Sequence, residues 1–398
     1  MNPAKFQILA PRAEQHLQAI GQIAADAFSG GQYVEQFCQN YIGNSHYDWG
    51  VSRVVLDGEK MIHHWGVWGY RMWVETVQLK VAGIGAVVTH PEYRKTGLMH
   101  QAADSSFAAM TQDGYDLSIL RGRHYVKMGY ARAWNYVTYR LKLEELPQAA
   151  SLPAYRPLDP AQVGEMDALY NQTHLHSTGS AIRPTYRNRH PEDIGVYAWF
   201  AGEGQLAGYL RALPAEDNPR ILTCLEAAGD PRQALAVLAD LYQKGTYDSL
   251  AFFTLPYRHP LLQAVRNKAC IVEERYFEIS GWRVRIINLH STIRKLIPLL
   301  EQRLENSLFA SWQGSLLLDS GEQKVTLQIE HGKVYLSENG SSPNTLRGGA
   351  DIARFLIGSD ESDEIIRQAD MACSGSAAAL ARVLFPNLNP MMSHWDEY

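Results

Sequence analysis

The stretch Gly85-Ala86-Val87-Val88-Thr89-His90-Pro91-Glu92-Tyr93-Arg94-Lys95-Thr96-Gly97-Leu98-Met99 decides how this chain folds. An apolar run ends at Thr89, His90-Pro91 predicts a tight turn, and an amphipathic helical pattern runs from Gly97 to Met110. The first amides of a helix lack intrahelical acceptors, and the helix dipole favours negative charge beside them. Gly97 lets a phosphate approach the backbone, and Arg94 and Lys95 add positive charge. The local pattern suits a pyrophosphate site. It suits a plain strand-turn-helix with glycine at the helix start equally well.

Upstream, Phe6 to Leu9 reads as a strand, and Leu17, Ile20, Ala24 and Phe28 make one apolar helix face that ends at Gly30-Gly31. Tyr33 to Tyr41 reads as a second helix. Gly50 to Val88 reads as successive antiparallel strands turning at Asp57-Gly58. Downstream come the strand Leu117-Ser118-Ile119-Leu120 and the segment Tyr125-Val126-Lys127-Met128-Gly129-Tyr130. This order predicts a mixed sheet flanked by helices, an α/β (α+β) layer fold.

A linker around Leu146 to Pro160 precedes a second unit. There a helix near Val163 to His174, a hairpin Val196 to Leu213, a strand Ile221 to Ala227, a helix Gln233 to Gln243 and a strand Leu250 to Leu255 partly repeat the first order. A third unit starts near Trp282. It holds a hairpin in which Val325, Leu327 and Ile329 alternate out and Val334 and Leu336 alternate back, then helices at Ile352 to Ile357 and Ser376 to Leu384. Pro386 and Pro390 then predict an extended tail. The expected division is 1–143, 144–281 and 282–398.

The 37 basic against 42 acidic side chains give a net charge of −5, with no long basic run. That balance argues against a nucleic-acid partner. No segment approaches the ~20 apolar residues that cross a bilayer, and Met1 to Ala13 lacks a basic-then-apolar layout, so no membrane association and a cytoplasmic location are expected. Cys38, Cys224, Cys270 and Cys373 are far apart and form no CxxC, which predicts free thiols. His63-His64 and His174-x-His176 lack partners at ligand spacing, so no metal is expected.

Arg94-Lys95-Thr96-Gly97-Leu98-Met99 resembles the acetyl-CoA-binding motif Arg/Gln-x-x-Gly-x-Gly/Ala of the GNAT acetyltransferase superfamily, departing from it where Met99 replaces the small residue. Tyr125-x-x-x-Gly129-Tyr130 resembles a second landmark of that superfamily, a tyrosine beside the CoA sulfur. The resemblance implies acetyl-CoA as co-substrate, with its acyl and pantetheine part on the amides of Val87, Val88 and Thr89. It also implies the pyrophosphate at Arg94, Lys95, Thr96, Gly97, Leu98 and Met99, and Tyr125 as general acid, a role that suits a phenol.

Many relatives carry a carboxylate base on the strand before the loop, yet Val81 to Val88 holds no acid and no histidine. The whole-chain layout suggests where the base went. Two GNAT-like units, a unit of sterol-carrier-protein type and the aromatic end Ser393-His394-Trp395-Asp396-Glu397-Tyr398 resemble the enhanced-intracellular-survival (Eis) class. That resemblance implies the Tyr398 carboxylate as base, and Asp26 and Glu397 as acidic walls of a pocket for a small-molecule primary amine (aminoglycoside-, polyamine- or lysine-like). It also implies a homo-oligomer, commonly a hexamer. Gly229-Asp230-Pro231-Arg232 sets an aspartate where phosphates would sit, so the second unit is not expected to bind CoA. The rival reading is a lipid- or acyl-CoA-binding carrier or sensor with a vestigial GNAT domain.

Overall fold

The alternating apolar residues of Lys60–Val74 and Val77–Thr89 build a long antiparallel hairpin, the spine of the first sheet. The structure, a computed structural model, describes residues 6–146, 151–185, 195–337, 340–369 and 371–397. Around the spine the strand order is Gln7–Leu9, Arg53–Asp57, Lys60–Val74, Val77–Thr89, Leu117–Arg121, Trp282–Ile286 and Ala131–Arg132, with Ala181–Ile182 pairing on Lys60–Val74. All pairs are antiparallel except Val77–Thr89 with Leu117–Arg121. A parallel pair needs a crossover, supplied here by the helix Leu98–Gln112.

The second sheet repeats this plan. Its order is Tyr155–Pro157, Val196–Phe200, Leu206–Pro214, Ile221–Gly229, Ser249–Phe253, Tyr136–Leu141 and Ile271–Arg275, again with one parallel pair, Ile221–Gly229 beside Ser249–Phe253. The sixth place of each sheet is filled from elsewhere in the chain. Trp282–Ile286, following the second sheet's last strand in sequence, completes the first sheet, and Tyr136–Leu141, following the first sheet's segment, completes the second. Each exchanged strand is hydrogen-bonded on both sides, so the sheets cannot part without breaking two ladders.

A third sheet, Lys333–Ser337, Lys324–Glu330, Gly314–Asp319, Asn344–Arg347 and Ala372–Ser374, lies with helices Leu289–Glu305, Ile352–Ile357, Ser362–Gln368 and Ala377–Leu384. Its core is continuous with the first sheet: Leu79, Val81, Leu117 and Ile119 pack in one cluster with Leu289, Ile293, Leu296 and Leu300. The fold is thus mixed α/β, with two sheets of one plan and a third α+β unit.

Local differences from the sequence reading have local causes. Tyr33 to Tyr41 is not one α-helix but a short turn Val34–Gln36 running into a π-helix Phe37–Gly43. That segment presses against helix Ala13–Phe28, where a Cβ on Gly21 would lie 2.1 Å from Cys38 Sγ. Phe28, expected in the core face, is 60% exposed at the helix end. The long helix Leu289–Glu305, capped when Asn288 Oδ1 accepts from Ser291 N (2.8 Å), was not anticipated because Pro298 interrupts its pattern.

Candidate active site

The parallel ladder between Val77–Thr89 and Leu117–Arg121 is confined to Val81, Ala82 and Gly83. Beyond Gly83 the two strands diverge, leaving Ile84 to Thr89 on the edge of an opening. A bulge follows at once, since the register on the neighbouring strand shifts between His64 and Gly66, and Ala86 takes φ +47°. The bulge reverses the alternation. Ala82 and Ile84 face helix Leu98–Gln112, as does Val87 after it, whereas Ala86 and Val88 turn to the face covered by Ile20 and Ile23. The sequence-predicted Val87, Val88 and Thr89 therefore line the opening just where the strand changes face.

From Thr89 the chain makes a 3-10 turn Pro91–Tyr93, and Arg94 Nε donates to Thr89 O (3.3 Å). Lys95 (φ +64°) and Gly97 (φ +84°) then take the left-handed conformation, and Arg94 to Gly97 are exposed. The first intrahelical bond recorded here is Gln101 N to Gly97 O (3.2 Å), so the amides of Leu98, Met99 and His100 precede the helical ladder. A Cβ on Gly97 would meet nothing nearer than Gln101 Nε2 at 3.8 Å. Glycine is required for the backbone angle, not for packing. An open loop of amides with two flanking cations fits a pyrophosphate. Gly97→Val is expected to raise the KM for acetyl-CoA about tenfold with kcat little changed. The left-handed strain should cost about 1–2 kcal/mol of stability, and steady-state rates with a thermal melt check both.

Tyr125 sits in the 3-10 turn Arg123–Met128, which residues 279–285 hold in place. Gly122 N donates to Gly281 O (3.1 Å), Arg123 N to Ile279 O (2.9 Å), Arg283 Nε to Gly122 O (3.0 Å) and Arg285 Nη1 to Met128 O (2.5 Å). The Tyr125 ring meets Trp65 and Tyr130 edge-on at centroid distances of 5.9 and 6.2 Å. Burial pushes its phenol up to about 12, so at neutral pH it holds its proton. Tyr130 OH and Ser118 Oγ are 2.6 Å apart, fixing the far end of the motif.

Two histidines that sequence reasoning weighed only as metal ligands stand beside the bulge. His64 Nδ1 is 2.7 Å from Ala86 O and its Nε2 2.8 Å from Tyr47 OH. His63 Nδ1 is 2.8 Å from Thr89 Oγ1. Burial lowers both, to about 4 for His64 and about 3 for His63, where the neighbouring His64 adds to the effect. Neutral at physiological pH, they brace the bulge. Their signal was their place opposite Val88 and Thr89 in the hairpin register.

Residues 11–133 match the family described as the acetyltransferase (GNAT) domain. Over those residues the chain is similar to a GNAT acetyltransferase domain. Such domains use acetyl-CoA as co-substrate, and the splayed strand, the bulge and the open loop lie within the matched residues. The whole chain is similar to a solved GCN5-related N-acetyltransferase from Anabaena variabilis (16% identity, TM-score 0.72, covering 97% of this chain and 99% of that one). It is also similar to a conserved protein of Enterococcus faecalis described as a probable N-acyltransferase (16%, TM-score 0.71, 99% and 99%). A third similar structure is Eis1 from Mycobacterium abscessus (12%, TM-score 0.70, 99% and 100%). At these identities the likeness shows the fold, and it shows it over the full length. No curated protein is matched by sequence.

Around the GNAT opening, Tyr41 and Tyr47 flank Trp68 at centroid distances of 4.8 and 5.3 Å, and Phe37 joins Tyr41 to Phe28. A Cβ on Gly85 would lie 3.0 Å from Tyr41 OH, so this aromatic row reaches the diverging strand. Asp26 is on the exposed side of helix Ala13–Phe28, where its Oδ1 accepts from Gln22 Nε2 (2.8 Å). That partner lies one turn back on the same helix. Glu397 does reach the domain: its Oε2 accepts from Arg121 Nη1 (3.1 Å), at the end of the diverging strand Leu117–Arg121. Tyr398 lies outside the described residues. Among the described residues no group of three or more His, Cys, Asp or Glu side chains could hold a metal, and no helix is long and apolar enough to cross a membrane.

Proposed function

We propose that this chain is an N-acetyltransferase of the Eis type, moving an acetyl group from acetyl-CoA directly to a small-molecule primary amine. The observation that carries the reading is Glu397 bound to Arg121 at the mouth of the GNAT opening. The tail thus arrives at the end of Leu117–Arg121, the strand that diverges from the one whose acid is missing. When bound, acetyl-CoA supplies the activated acyl thioester. Arg94, Lys95, Thr96, Gly97, Leu98 and Met99 hold its pyrophosphate. The amides of Val87, Val88 and Thr89 orient its arm and the acyl oxygen, a stabilisation among the largest such a site can arrange.

The remaining chemistry is proton traffic. Transfer forms an N–C bond and breaks the thioester C–S bond. The amine loses a proton as it attacks, and the Tyr398 carboxylate takes it, directly or through a water. Tyr125 gives its phenolic proton to the departing sulfur. Asp26 and Glu397 draw a cationic amine towards the site, which suits aminoglycoside-, polyamine- or lysine-like acceptors. Acids also raise the amine's pKa, so the base is needed all the more.

The third unit acts as a sterol-carrier-protein-like domain that delivers the tail, in a cytoplasmic homo-oligomer. The test is a panel of such amines with acetyl-CoA, read as CoA release, for the wild type and for a variant with one residue added after Tyr398. The extension moves the carboxylate by about 3.5 Å and is expected to lower kcat about 100-fold at unchanged KM for acetyl-CoA. An unchanged kcat would remove the base assignment, and no CoA release with any amine would remove the enzyme reading.

A further inference from the structure

The second sheet has an opening of its own. Its parallel pair is laddered only from Ile221 to Cys224, after which Ile221–Gly229 and Ser249–Phe253 diverge as their counterparts do after Gly83. The antiparallel neighbour also shifts register there, between Arg211 and Ala212. No phosphate loop follows. In the first unit residues 90–97 separate strand from helix, whereas here only Asp230 lies between Gly229 and Pro231. Asp230 Oδ1 takes the Arg232 amide (2.9 Å), placing a carboxylate on the helix pole that an anion would need.

What enters the opening is the tail of the chain. His394 N donates to Thr254 Oγ1 (3.2 Å), whose hydroxyl lies 2.7 Å from Phe253 O and 3.3 Å from Leu225 O on the diverging strand. Met391 N donates to Thr178 O (3.0 Å), and a Cβ on Gly179 would lie 2.4 Å from that Met391 nitrogen. At the centre is Arg183, whose side chain is fully buried. It donates to Glu226 Oε1 (2.7 Å) and Oε2 (2.5 Å) on the strand, and to Asp396 Oδ1 (3.2 Å) and Oδ2 (3.0 Å) on the tail. Thr185 Oγ1 also donates to Asp396 (2.8 Å), Ser393 Oγ to Glu226, and the Tyr170 ring stacks 3.4 Å from the guanidinium.

Two carboxylates on one guanidinium, all buried, are expensive to desolvate, and apolar side chains of the same volume often serve stability as well or better. Such a cluster earns its place through geometry, because each lone pair accepts one partner in one register. Two residues beyond Asp396 span at most about 7 Å, so whatever fixes Asp396 bounds the reach of the chain end. We propose that the diverged strands of the second sheet are a socket for the tail, and that Arg183, gripping Glu226 and Asp396 together, is the positioning residue that aims the chain end at the acetyl-transfer site. The proposal rests on the reading that the chain end acts there.

Asp396→Asn keeps the shape and removes one charge, and Glu226→Gln does the same on the strand. Arg183→Met is the sharper change but strands two buried acids at a large cost to folding, so the two amide variants decide. Hydrogen exchange of residues 386–397 is expected to quicken at least tenfold in both, while exchange in Leu98–Gln112 stays as in wild type. With it kcat should fall at least tenfold while the KM for acetyl-CoA is unchanged. Tail exchange as slow as wild type overturns the socket. A loosened tail with unchanged kcat overturns the aiming role, and the variant extended after Tyr398 says which reading fell: if that extension lowers kcat, the base stands without its latch, and if it does not, the base assignment itself has failed.

Discussion

Tyr125→Phe is expected to lower kcat about 100-fold, with the KM for acetyl-CoA and the melting temperature close to wild type. The ring packs edge-on against Trp65 and Tyr130, and phenylalanine keeps those faces. Only the hydroxyl is lost, and with it the proton that the proposed mechanism gives to the departing thiolate. A 100-fold loss is about 2.7 kcal/mol of barrier, well above what removing one partly exposed hydroxyl does to stability. Because burial holds the phenol near 12, the wild-type kcat should show no alkaline fall from this group below about pH 10. Initial rates of CoA release across pH check both statements. A variant within about twofold of wild type would show that the sulfur leaves without help from Tyr125.

The second large effect is on stability in mild acid. His63, His64, His174 and His259 are buried, and burial is the main cause that lowers each of them, to about 3 for His63 and about 4 for His64 and His259. Unfolded, each binds a proton near 6.5. Between those values the unfolded chain holds protons that the folded chain does not, so stability is complete above 6.5 and is lost as pH falls towards the folded values. Each histidine costs about 1.4 kcal/mol by pH 5.5, on the order of 5 kcal/mol for the four. That is comparable with the whole stability of an ordinary domain, about 5–15 kcal/mol. Glu226 acts in the same sense at lower pH. Burial alone would raise its carboxyl, but Arg183 and Ser393 hold it well below the usual carboxylate range. Scanning melts from pH 7.5 to 5.5 should show a steep fall, and a flat profile would mean that these rings are protonated in the folded chain.

Much of the first domain was legible in the residues. The strand-turn-helix from Val77 to Gln112 rests on period, on Pro91 and on Gly97, all local signals, and the structure follows them closely. Less local features were hidden. Ala86 carries φ +47° with no glycine to announce it, because the bulge is imposed by the neighbouring strand and braced by His64. Trp282 marked only the start of a third unit in the sequence, and nothing in the alternation of Trp282-Arg283-Val284-Arg285-Ile286 says that it pairs with Leu117–Arg121. Arg183 looks like any surface arginine until Glu226, 43 residues on, and Asp396, 213 residues on, close around it.

The turn Arg94-x-x-Gly97 and the tyrosine motif were set by the sequence alone, since backbone angle, charge and period are properties of a few adjacent residues. The opening beside Val87 and Thr89, the exchange of strands between the two sheets and the seating of the tail were decided only in three dimensions. Strand partners and buried ion pairs are chosen by which distant surfaces meet, and hydrophobic alternation carries no address.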